Sequence, residues 1–313
     1  MQTQAVILEK PGALTLRGLG LTEPGANDVV VDMRWSGIST GTEKLLWSGE
    51  MPWFPGLEYP LVPGYEGVGD VIACGADADI AIGTRVLVPG ANCFEGARGL
   101  FGASASRVVV PAARVVPVDE ALGADATLLS LAATAQHAIA ASPNVGPTLV
   151  VGHGVVGRLI ARALVARGDP APMVWECRAE RRDGAKGYDV IPTSEDPATS
   201  YATVFDASGD PAILDTAIAR LAKGGEIVLA GFYAQPLQFA FPPAFMREAR
   251  IRIAAEWTPT DMATVRDHVE RGTMSLDGLV THTHTPADPA RAFTSAFADP
   301  ACLKMILDWR SIH

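Results

Sequence analysis

Short apolar runs alternate with amphipathic stretches through the second half of the chain. The runs predict buried strands at residues 148–151, 172–175, 189–191, 204–207, 226–230 and 251–254. Between them, apolar and small residues at helical spacing predict helices over 158–167 and 213–221. This alternation of strands and helices predicts an α/β fold with a doubly wound parallel sheet.

The first part of the chain has a different pattern. Short apolar segments punctuated by Gly and Pro predict strands at 5–8, 28–35, 67–73, 85–88 and 107–110. A helical stretch at 124–141 leads into the α/β half, and the chain ends with an amphipathic helix at 261–271 and an apolar segment at 303–309. We therefore expect a β-rich domain over 1–120, a dinucleotide-binding domain over 121–256, and a return to the first domain over 257–313.

A glycine-rich turn directly follows the strand at 148–151 and opens the helix at 158–167. It reads G-x-G-x-x-G and consists of Gly152, His153, Gly154, Val155, Val156 and Gly157. Such glycines allow a tight turn, close approach of backbone to a pyrophosphate and close packing of helix on strand. The next strand ends in Glu176, where a carboxylate can accept hydrogen bonds from an adenosine ribose. This context predicts a dinucleotide-binding site.

Composition fits a soluble enzyme with two domains. The chain has 313 residues, 48% of them hydrophobic, and a net charge of −10 that argues against a nucleic-acid surface. No apolar run has the length of a membrane span, and residues 1–4 lack the features of a signal peptide, so we expect a cytoplasmic protein. The cysteines are scattered, which indicates neither a disulfide framework nor a structural zinc lobe; they are Cys74, Cys93, Cys177 and Cys302.

Several segments resemble the medium-chain dehydrogenase/reductase superfamily over nearly the whole chain. They lie at residues 37–43, 63–69, 83–86, 148–157, 223–228 and 304–307. Within the superfamily, residues 35–43, 51–56 and 59–66 resemble the bacteriochlorophyllide dehydrogenases of bacteriochlorophyll biosynthesis, an enzyme family of photosynthetic metabolism. The resemblance implies a GroES-like catalytic domain beside a Rossmann domain. It also implies NAD-dependent oxidation of the 3-(1-hydroxyethyl) group of a bacteriochlorophyllide to 3-acetyl.

The chain departs from the zinc-dependent members of the superfamily at their metal ligands. Where those members have Cys, this chain has Ser39 or Thr40, and where they have His it has Tyr65. Hydroxyl and phenol groups are poor zinc ligands beside thiolate and imidazole, and residues 131–133 offer no third ligand. We therefore expect no protein-bound metal. The alternative is a rebuilt site that uses Glu43, Glu66 and His137.

Without zinc, the alcohol still needs a group that orients its hydroxyl and a group that accepts its proton. By resemblance, Thr42 matches the hydroxyl that passes the proton outward in zinc-dependent relatives. Tyr65 can relay a proton, and a nearby nicotinamide cation would favour its phenolate. Glu43 and Glu66 are then supporting carboxylates or the terminal proton acceptor. Purely structural roles for these residues stay open.

Other residues complete the expected sites. The resemblance places Thr134 near the nicotinamide and adds Ser208 and Gly231 to the cofactor contacts, and Arg178 follows Glu176. His137 is a further catalytic candidate, although a histidine satisfied within its own helix is the competing interpretation. For His153 we expect a backbone contact with the pyrophosphate, while its side chain lines the cleft.

Aromatic residues and prolines are concentrated just after the proposed catalytic loop. The candidate substrate-binding residues are Trp47, Met51, Trp53, Phe54, Tyr59 and, further on, Phe101. Planar side chains fixed by prolines suit a large flat ligand such as a tetrapyrrole. The alternative is a hydrophobic loop that packs on its own domain.

Two other functions remain open at this point. A zinc-free quinone or enone reductase would use NADPH, which Glu176 disfavours because a carboxylate repels a 2′-phosphate, although three nearby arginines keep NADP open. The third hypothesis is a dinucleotide-binding module without catalysis. The sequence leaves the oligomeric state open, a homodimer included.

Overall fold

The computed structural model describes residues 1–142 and 146–312. The strands are β1 (Gln2–Lys10), β2 (Ala13–Gly20), β3 (Asp28–Ile38), β4 (Leu61–Val62), β5 (Gly67–Cys74), β6 (Arg85–Val88), β7 (Arg98–Gly99), β8 (Arg107–Pro111), β9 (Val116–Pro117), β10 (Thr148–Val151), β11 (Met173–Trp175), β12 (Asp189–Ile191), β13 (Tyr201–Asp206), β14 (Leu221–Leu229), β15 (Arg250–Ile253), β16 (Val280–His284) and β17 (Lys304–Asp308). The α-helices are α1 (Thr42–Ser48), α2 (Leu129–Ala140), α3 (Val155–Arg167), α4 (Ile213–Ala219), α5 (Phe241–Arg247), α6 (Pro259–Glu270) and α7 (Pro289–Ala298).

These elements form two compact units. The first contains Met1–Ser130 and Leu279–His313, and the second contains Leu131–Gly278.

The first unit is built on two sheets. A seven-stranded sheet runs in the order β16-β17-β3-β5-β6-β9 with β8 also paired to β3, and a four-stranded sheet runs β2-β1-β4-β7. The C-terminal strand β17 pairs antiparallel with β3, joining Ile38 to Met305 and Trp35 to Asp308. This pairing brings together residues that are far apart in the sequence.

The second unit has one parallel sheet of six strands in the order β12-β11-β10-β13-β14-β15. Counted within the unit, this is the order 3-2-1-4-5-6 of a Rossmann fold, as the alternation of apolar runs predicted. The order reverses between β10 and β13, whose ends pair Val151 with Asp206. In such sheets, ligands bind at the carboxyl ends of the strands where the order reverses.

The stretch predicted as one helix at 124–141 differs in the structure. Residues Glu120–Leu128 form 3₁₀ turns, and the α-helix begins only at Leu129. The Thr127 hydroxyl donates to the carbonyl of Ala124 at 2.8 Å, a local bond that competes with the regular helical pattern. The helix predicted at 261–271 is confirmed as α6, which begins with a capping box of Thr258 and Asp261.

Each unit has its own hydrophobic core. The strands of the first unit bury Val, Ile and Met side chains together with Phe293 and Trp309, and those of the second unit bury Trp175, Val204 and Ile227. Within the described part of the chain, the helices are all too short or too polar to cross a bilayer.

Candidate active site

The glycine turn between β10 and α3 is closely packed. The φ of Gly152 is +93°, and a Cβ on Gly157 would stand 1.8 Å from the carbonyl oxygen of Gly152. A side chain at either position is therefore excluded by the protein itself. These two glycines bring the N-terminus of α3 against the end of β10.

Gly154 has more open surroundings than the other two glycines of this turn. Among residues 1–142 and 146–312, a Cβ built there meets no atom within 4 Å, and the N-cap of the 13-residue helix α3, Gly154, has no side-chain capping bond. Packing within the protein thus leaves room in front of this helix N-terminus. The free N–H groups and the helix dipole there fit the pyrophosphate of a dinucleotide.

Glu176 follows β11 and is 7% exposed. One carboxylate oxygen accepts from the backbone N–H of His153 at 3.1 Å, and the other accepts from that of Arg178 at 2.9 Å. A carboxylate oxygen accepts more than one hydrogen bond, so Glu176 retains capacity for ribose hydroxyls. The guanidinium of Arg182 donates to the backbone carbonyls of Glu176 and Cys177, at 2.9 and 3.0 Å.

The end of β13 carries a second polar group of this unit. Asp206 accepts from the backbone and hydroxyl of Ser208, at 2.9 and 2.6 Å, and from the phenol of Tyr233 at 2.5 Å. Burial raises the pKa of Asp206. Its backbone carbonyl accepts from Gly231 at 3.1 Å. Asp206 thus holds two of the expected cofactor residues, Ser208 by its side chain and Gly231 by its backbone carbonyl. The third, Thr134, lies on α2.

The side chain of His153 does not line an open cleft. It is fully buried, with Nδ1 2.6 Å from the carbonyl oxygen of Arg181 and Nε2 2.9 Å from the phenol of Tyr188. The expectation for this side chain is therefore wrong, because both ring nitrogens have protein partners.

In the first unit, the structure brings Thr42 and Tyr65 together. Thr42 is the first residue of α1, and its side chain lies close enough to the Tyr65 phenol to lower the pKa of that group. The phenol in turn donates to the hydroxyl of Ser39 at 2.8 Å. The Tyr65 pKa is raised by burial and by the nearby Glu66 carboxylate. In these surroundings the phenol is protonated near neutral pH and can donate a hydrogen bond, while the phenolate expected beside a nicotinamide cation stays a prediction.

Glu43 lies next to the hydroxyl groups of Ser39 and Tyr65 and is 1% exposed. Its Oε2 accepts from the backbone N–H of Ser39 at 2.5 Å, while its Oε1 has no hydrogen-bond partner among the described residues. Burial raises the pKa of Glu43 to about 8. This carboxyl can therefore gain or lose a proton close to neutral pH.

Glu66 is buried as well but has a cationic partner. The Nζ of Lys304 donates to its two carboxylate oxygens at 2.9 and 2.6 Å and to the carbonyl of Ile38 at 3.3 Å. Lys304 is only 2% exposed. The pairing of β17 with β3 brings this lysine to Glu66. Sequence reasoning missed Lys304 as a partner of the site, and it missed Ser39 as part of the hydroxyl network.

The donor set does not fit Zn²⁺. Within residues 1–142 and 146–312, no group of three or more His, Cys, Asp or Glu side chains could hold a metal ion. Of the alternative ligands, Glu66 is paired with Lys304. His137 lies in the second unit, with Nδ1 2.9 Å from the Asp261 carboxylate. The expectation that the protein binds no metal stays a prediction.

The aromatic segment after α1 divides into buried and exposed parts. Met51 is 7% exposed and packs in a small core with Leu46, while the hydroxyl of Tyr59 donates to the carbonyl of Leu46 at 2.7 Å. Trp53, in contrast, is 88% exposed. The burial of Met51 indicates that this side chain packs within the protein and does not contact the substrate. Trp47 also contacts another side chain of the unit, Phe297, at 5.5 Å between ring centroids.

A row of aromatic rings leads to the hydroxyl network. Phe54 meets Phe101 edge to face at 5.9 Å between centroids, and Phe101 meets Tyr65 in the same way at 5.5 Å. Such edge-to-face pairs are favourable arrangements of aromatic rings. The row connects the exposed aromatic segment with the phenol of Tyr65.

Comparisons with known proteins agree with this fold. Residues 25–120 match the family model "Alcohol dehydrogenase GroES-like domain". A "2-desacetyl-2-hydroxyethyl bacteriochlorophyllide A dehydrogenase" from Rhodobacter capsulatus is 53% identical to this chain, covering 99% of each. Its counterpart from Cereibacter sphaeroides is 54% identical over 99% of each chain.

Solved structures share the architecture. The alcohol dehydrogenase RspB from Escherichia coli CFT073, complexed with NADH, has a TM-score of 0.84 and 23% identity, covering 98% of this chain and 99% of the other. A zinc-binding dehydrogenase from Sinorhizobium meliloti bound to NADP has a TM-score of 0.80 and 20% identity, with the same coverage. These likenesses confirm the fold, a GroES-like domain with a Rossmann domain.

Proposed function

The chain belongs to the family of the 2-desacetyl-2-hydroxyethyl bacteriochlorophyllide A dehydrogenases, within the medium-chain dehydrogenases, and we propose that it oxidises the hydroxyethyl substituent of a bacteriochlorophyllide to acetyl. The observation that carries this is identity of 53% and 54% to two such enzymes over 99% of the chain. The protein is an oxidoreductase that acts on a CH–OH group. Its substrate is a tetrapyrrole.

The cofactor is a nicotinamide dinucleotide, and we assign NAD in preference to NADP. The glycine turn and the N-terminus of α3 would hold the pyrophosphate, and the Glu176 carboxylate would accept from the adenosine ribose. A 2′-phosphate beside Glu176 would meet a negative charge. Arg182 is already engaged by two backbone carbonyls of its own loop, which makes it a poor phosphate ligand.

The oxidation removes a hydride from carbon and a proton from oxygen, and bound NAD supplies the hydride acceptor. Thr42 and Tyr65 would orient the substrate hydroxyl, since their side chains lie close to each other. Ser39 continues this chain of hydroxyl groups, and its backbone N–H is bonded to Glu43. We assign the terminal proton acceptor to Glu43, because its free oxygen and raised pKa suit a general base near neutral pH.

Glu66 has a different role in this assignment. Its charge is matched by Lys304, which donates to both carboxylate oxygens. A buried pair of this kind holds the carboxylate in place. We therefore assign to this pair the positioning of the loop between β4 and β5, which carries Tyr65, and propose that the enzyme works without a metal.

The exposed aromatic segment would receive the macrocycle. Trp53 presents nearly its whole indole to solvent, and the row of Phe54 and Phe101 ends at Tyr65. A flat bacteriochlorin ring could stack on such side chains while its hydroxyethyl group reaches the phenol. Substitution of Trp53 by Ala should therefore raise KM for the tetrapyrrole more than it lowers kcat.

The test is direct oxidation of the substrate. Purified protein is incubated with NAD and hydroxyethyl-bacteriochlorophyllide, and NADH formation is followed with the long-wavelength band of the bacteriochlorin. The expected result is one NADH for each hydroxyethyl group converted. Absence of turnover, together with NADPH-dependent reduction of a quinone or enone, would replace the proposal by the reductase alternative.

A further inference from the structure

The side chain of His153 is an unexplained feature of the glycine turn. A dinucleotide is held by the backbone of such turns, which asks for no particular side chain at this position. Yet the imidazole is fully buried and meets the phenol of Tyr188 edge to face, at 5.6 Å between ring centroids. Both ring nitrogens are within hydrogen-bond distance of a protein atom.

The partners fix the tautomer of this ring. The carbonyl oxygen of Arg181 can only accept, so the proton lies on Nδ1. Nε2 then accepts from the Tyr188 hydroxyl. Burial lowers the pKa of His153 to about 4, with a further contribution from the Arg158 charge. The imidazole is therefore neutral at pH 7 and acts as a fixed donor and acceptor.

Several hydrogen bonds join the glycine turn to the loop that follows Glu176. Besides the His153 imidazole, Nη2 of Arg158 donates to the Arg181 carbonyl at 2.9 Å, and its Nε donates to the carbonyl of His153 at the same distance. The backbone N–H of His153 donates to Glu176. The His153 imidazole and Arg158 thus both donate to the Arg181 carbonyl and hold this loop in place. Arg158 lies on α3 and is 4% exposed.

This loop carries the charges that would distinguish two classes of dinucleotide. Glu176 at its start favours a free 2′-hydroxyl, whereas the arginines at 178, 181 and 182 would favour a 2′-phosphate if the loop were rearranged. In the structure the backbone N–H of Arg178 is bonded to Glu176, and Arg182 is bonded to backbone carbonyls. The conformation of the loop therefore decides which charge faces the ribose.

We propose that the His153 imidazole is a positioning residue for cofactor specificity: it holds residues 177–182 against the glycine turn so that the Glu176 carboxylate, not an arginine, faces the adenosine ribose. The inference rests on the proposed use of NAD. Loss of the imidazole tie frees the loop, weakens the binding of NAD and reduces the discrimination against NADP.

The experiment measures the dissociation constants of NADH and NADPH for the full-length protein by nicotinamide fluorescence. His153→Gln keeps an acceptor near Nε2 but loses the donor to Arg181, whereas His153→Asn keeps a donor near Nδ1. Tyr188→Phe removes the bond to Nε2, together with the interaction of the phenol with Arg162, but leaves the bond from Nδ1 to the Arg181 carbonyl, and it serves as the matched control. The preference for NADH should fall about three- to tenfold in His153→Gln, the expected effect of one lost buried hydrogen bond. His153→Asn should retain more of the preference, and Tyr188→Phe should retain nearly all of it.

Thermal unfolding and kcat at saturating NAD accompany each variant. If His153→Gln fails to fold, Arg158→Met tests the attachment of the same loop, because it removes the other donor to the Arg181 carbonyl. It replaces a buried charge by an apolar side chain, and it should also reduce the preference for NADH. Equal weakening of NADH and NADPH, with an unchanged ratio, would overturn the inference and leave His153 a purely stabilising residue. Failure of the wild-type protein to prefer NADH would instead refute the proposed cofactor.

Discussion

Glu43→Gln tests the proton acceptor, because the two side chains have nearly the same shape. The glutamine oxygen can still accept from the backbone N–H of Ser39, as Oε2 of Glu43 does at 2.5 Å. What the substitution removes is the ability to carry a charge and to exchange a proton. Since Glu43 is 1% exposed and its Oε1 has no partner among the described residues, no other change at the site is expected.

The first expected result concerns stability. Burial raises the pKa of Glu43 from 4.5 to about 8 in the folded protein. The folded state then binds the proton more tightly than the unfolded chain, so the contribution to stability is fully present below pH 4.5 and is lost as the pH rises to about 8. One such group changes the free energy of unfolding by up to about 1.4 kcal/mol per pH unit. Glu43→Gln should flatten this part of the curve and be more stable than wild type at pH 8 and above.

The second expected result concerns catalysis. As a base Glu43 must be ionised, so kcat for alcohol oxidation should rise with pH to a plateau, with an apparent pKa near 8. Glu43→Gln should lose this dependence, and kcat above pH 8 should fall about 10²- to 10⁴-fold, the usual contribution of a general base. Single-turnover NADH formation between pH 6 and 10, with urea unfolding at the same pH values, measures both effects.

Glu50→Gln is the matched control, since Glu50 is exposed just after the same helix and its neutralisation should change neither curve. A Glu43→Gln enzyme that keeps the wild-type pH profile and rate would refute the assignment of the base. A wild-type level of activity combined with the expected flattening of the stability curve would show that Glu43 is buried and neutral but takes no part in the reaction.

Four further outcomes are expected. Thr42→Val and Tyr65→Phe should each lower single-turnover NADH formation by about 10²-fold or more while NAD affinity stays nearly constant; two variants that match wild type would place the relay elsewhere. Glu176→Ala should narrow the preference for NAD over NADP, as measured by KM for each, and wild-type protein that favours NADP would contradict that assignment. Lys304→Met should lower the free energy of unfolding in urea by about 3–5 kcal/mol because it leaves the Glu66 carboxylate buried without a partner, and Lys304→Met combined with Glu66→Leu should recover part of that loss. Metal analysis of purified protein should find far less than one zinc per chain, and chelators should leave activity intact; stoichiometric zinc with activity lost on chelation would show that the donor set was misjudged.

The sequence predicted the Rossmann sheet well because each of its strands is a local apolar run. A strand buried on both faces needs such a run, and the glycine turn marks where the first strand ends and its helix begins. The position of Glu176 follows from the same local logic, since it directly succeeds the second strand. Even here the contacts of the His153 side chain were not predictable, because Arg181 and Tyr188 approach it from a loop whose path no periodicity describes.

The contacts within the first unit were harder to predict because they join residues that are distant in sequence. Lys304 and Glu66 are separated by 238 positions, and only the pairing of β17 with β3 brings them together. Composition cannot distinguish Met51, which packs in a small core, from Trp53, which is exposed in the same segment. The sequence therefore indicated which residues could form the site but not which of them have partners.

The two buried carboxylates have different surroundings, which support the different roles proposed for them. Glu43 and Glu66 are each 1% exposed, so burial alone would treat them alike. Lys304 donates to both oxygens of Glu66, so that carboxylate has a cationic partner. Glu43 has one backbone donor and one oxygen without a partner among the described residues, and its pKa is raised to about 8. When two acids have such different environments, the acid whose pKa lies near neutral pH is the one suited to exchange protons. Because Lys304 pairs with Glu66, we propose Glu43 as the proton acceptor.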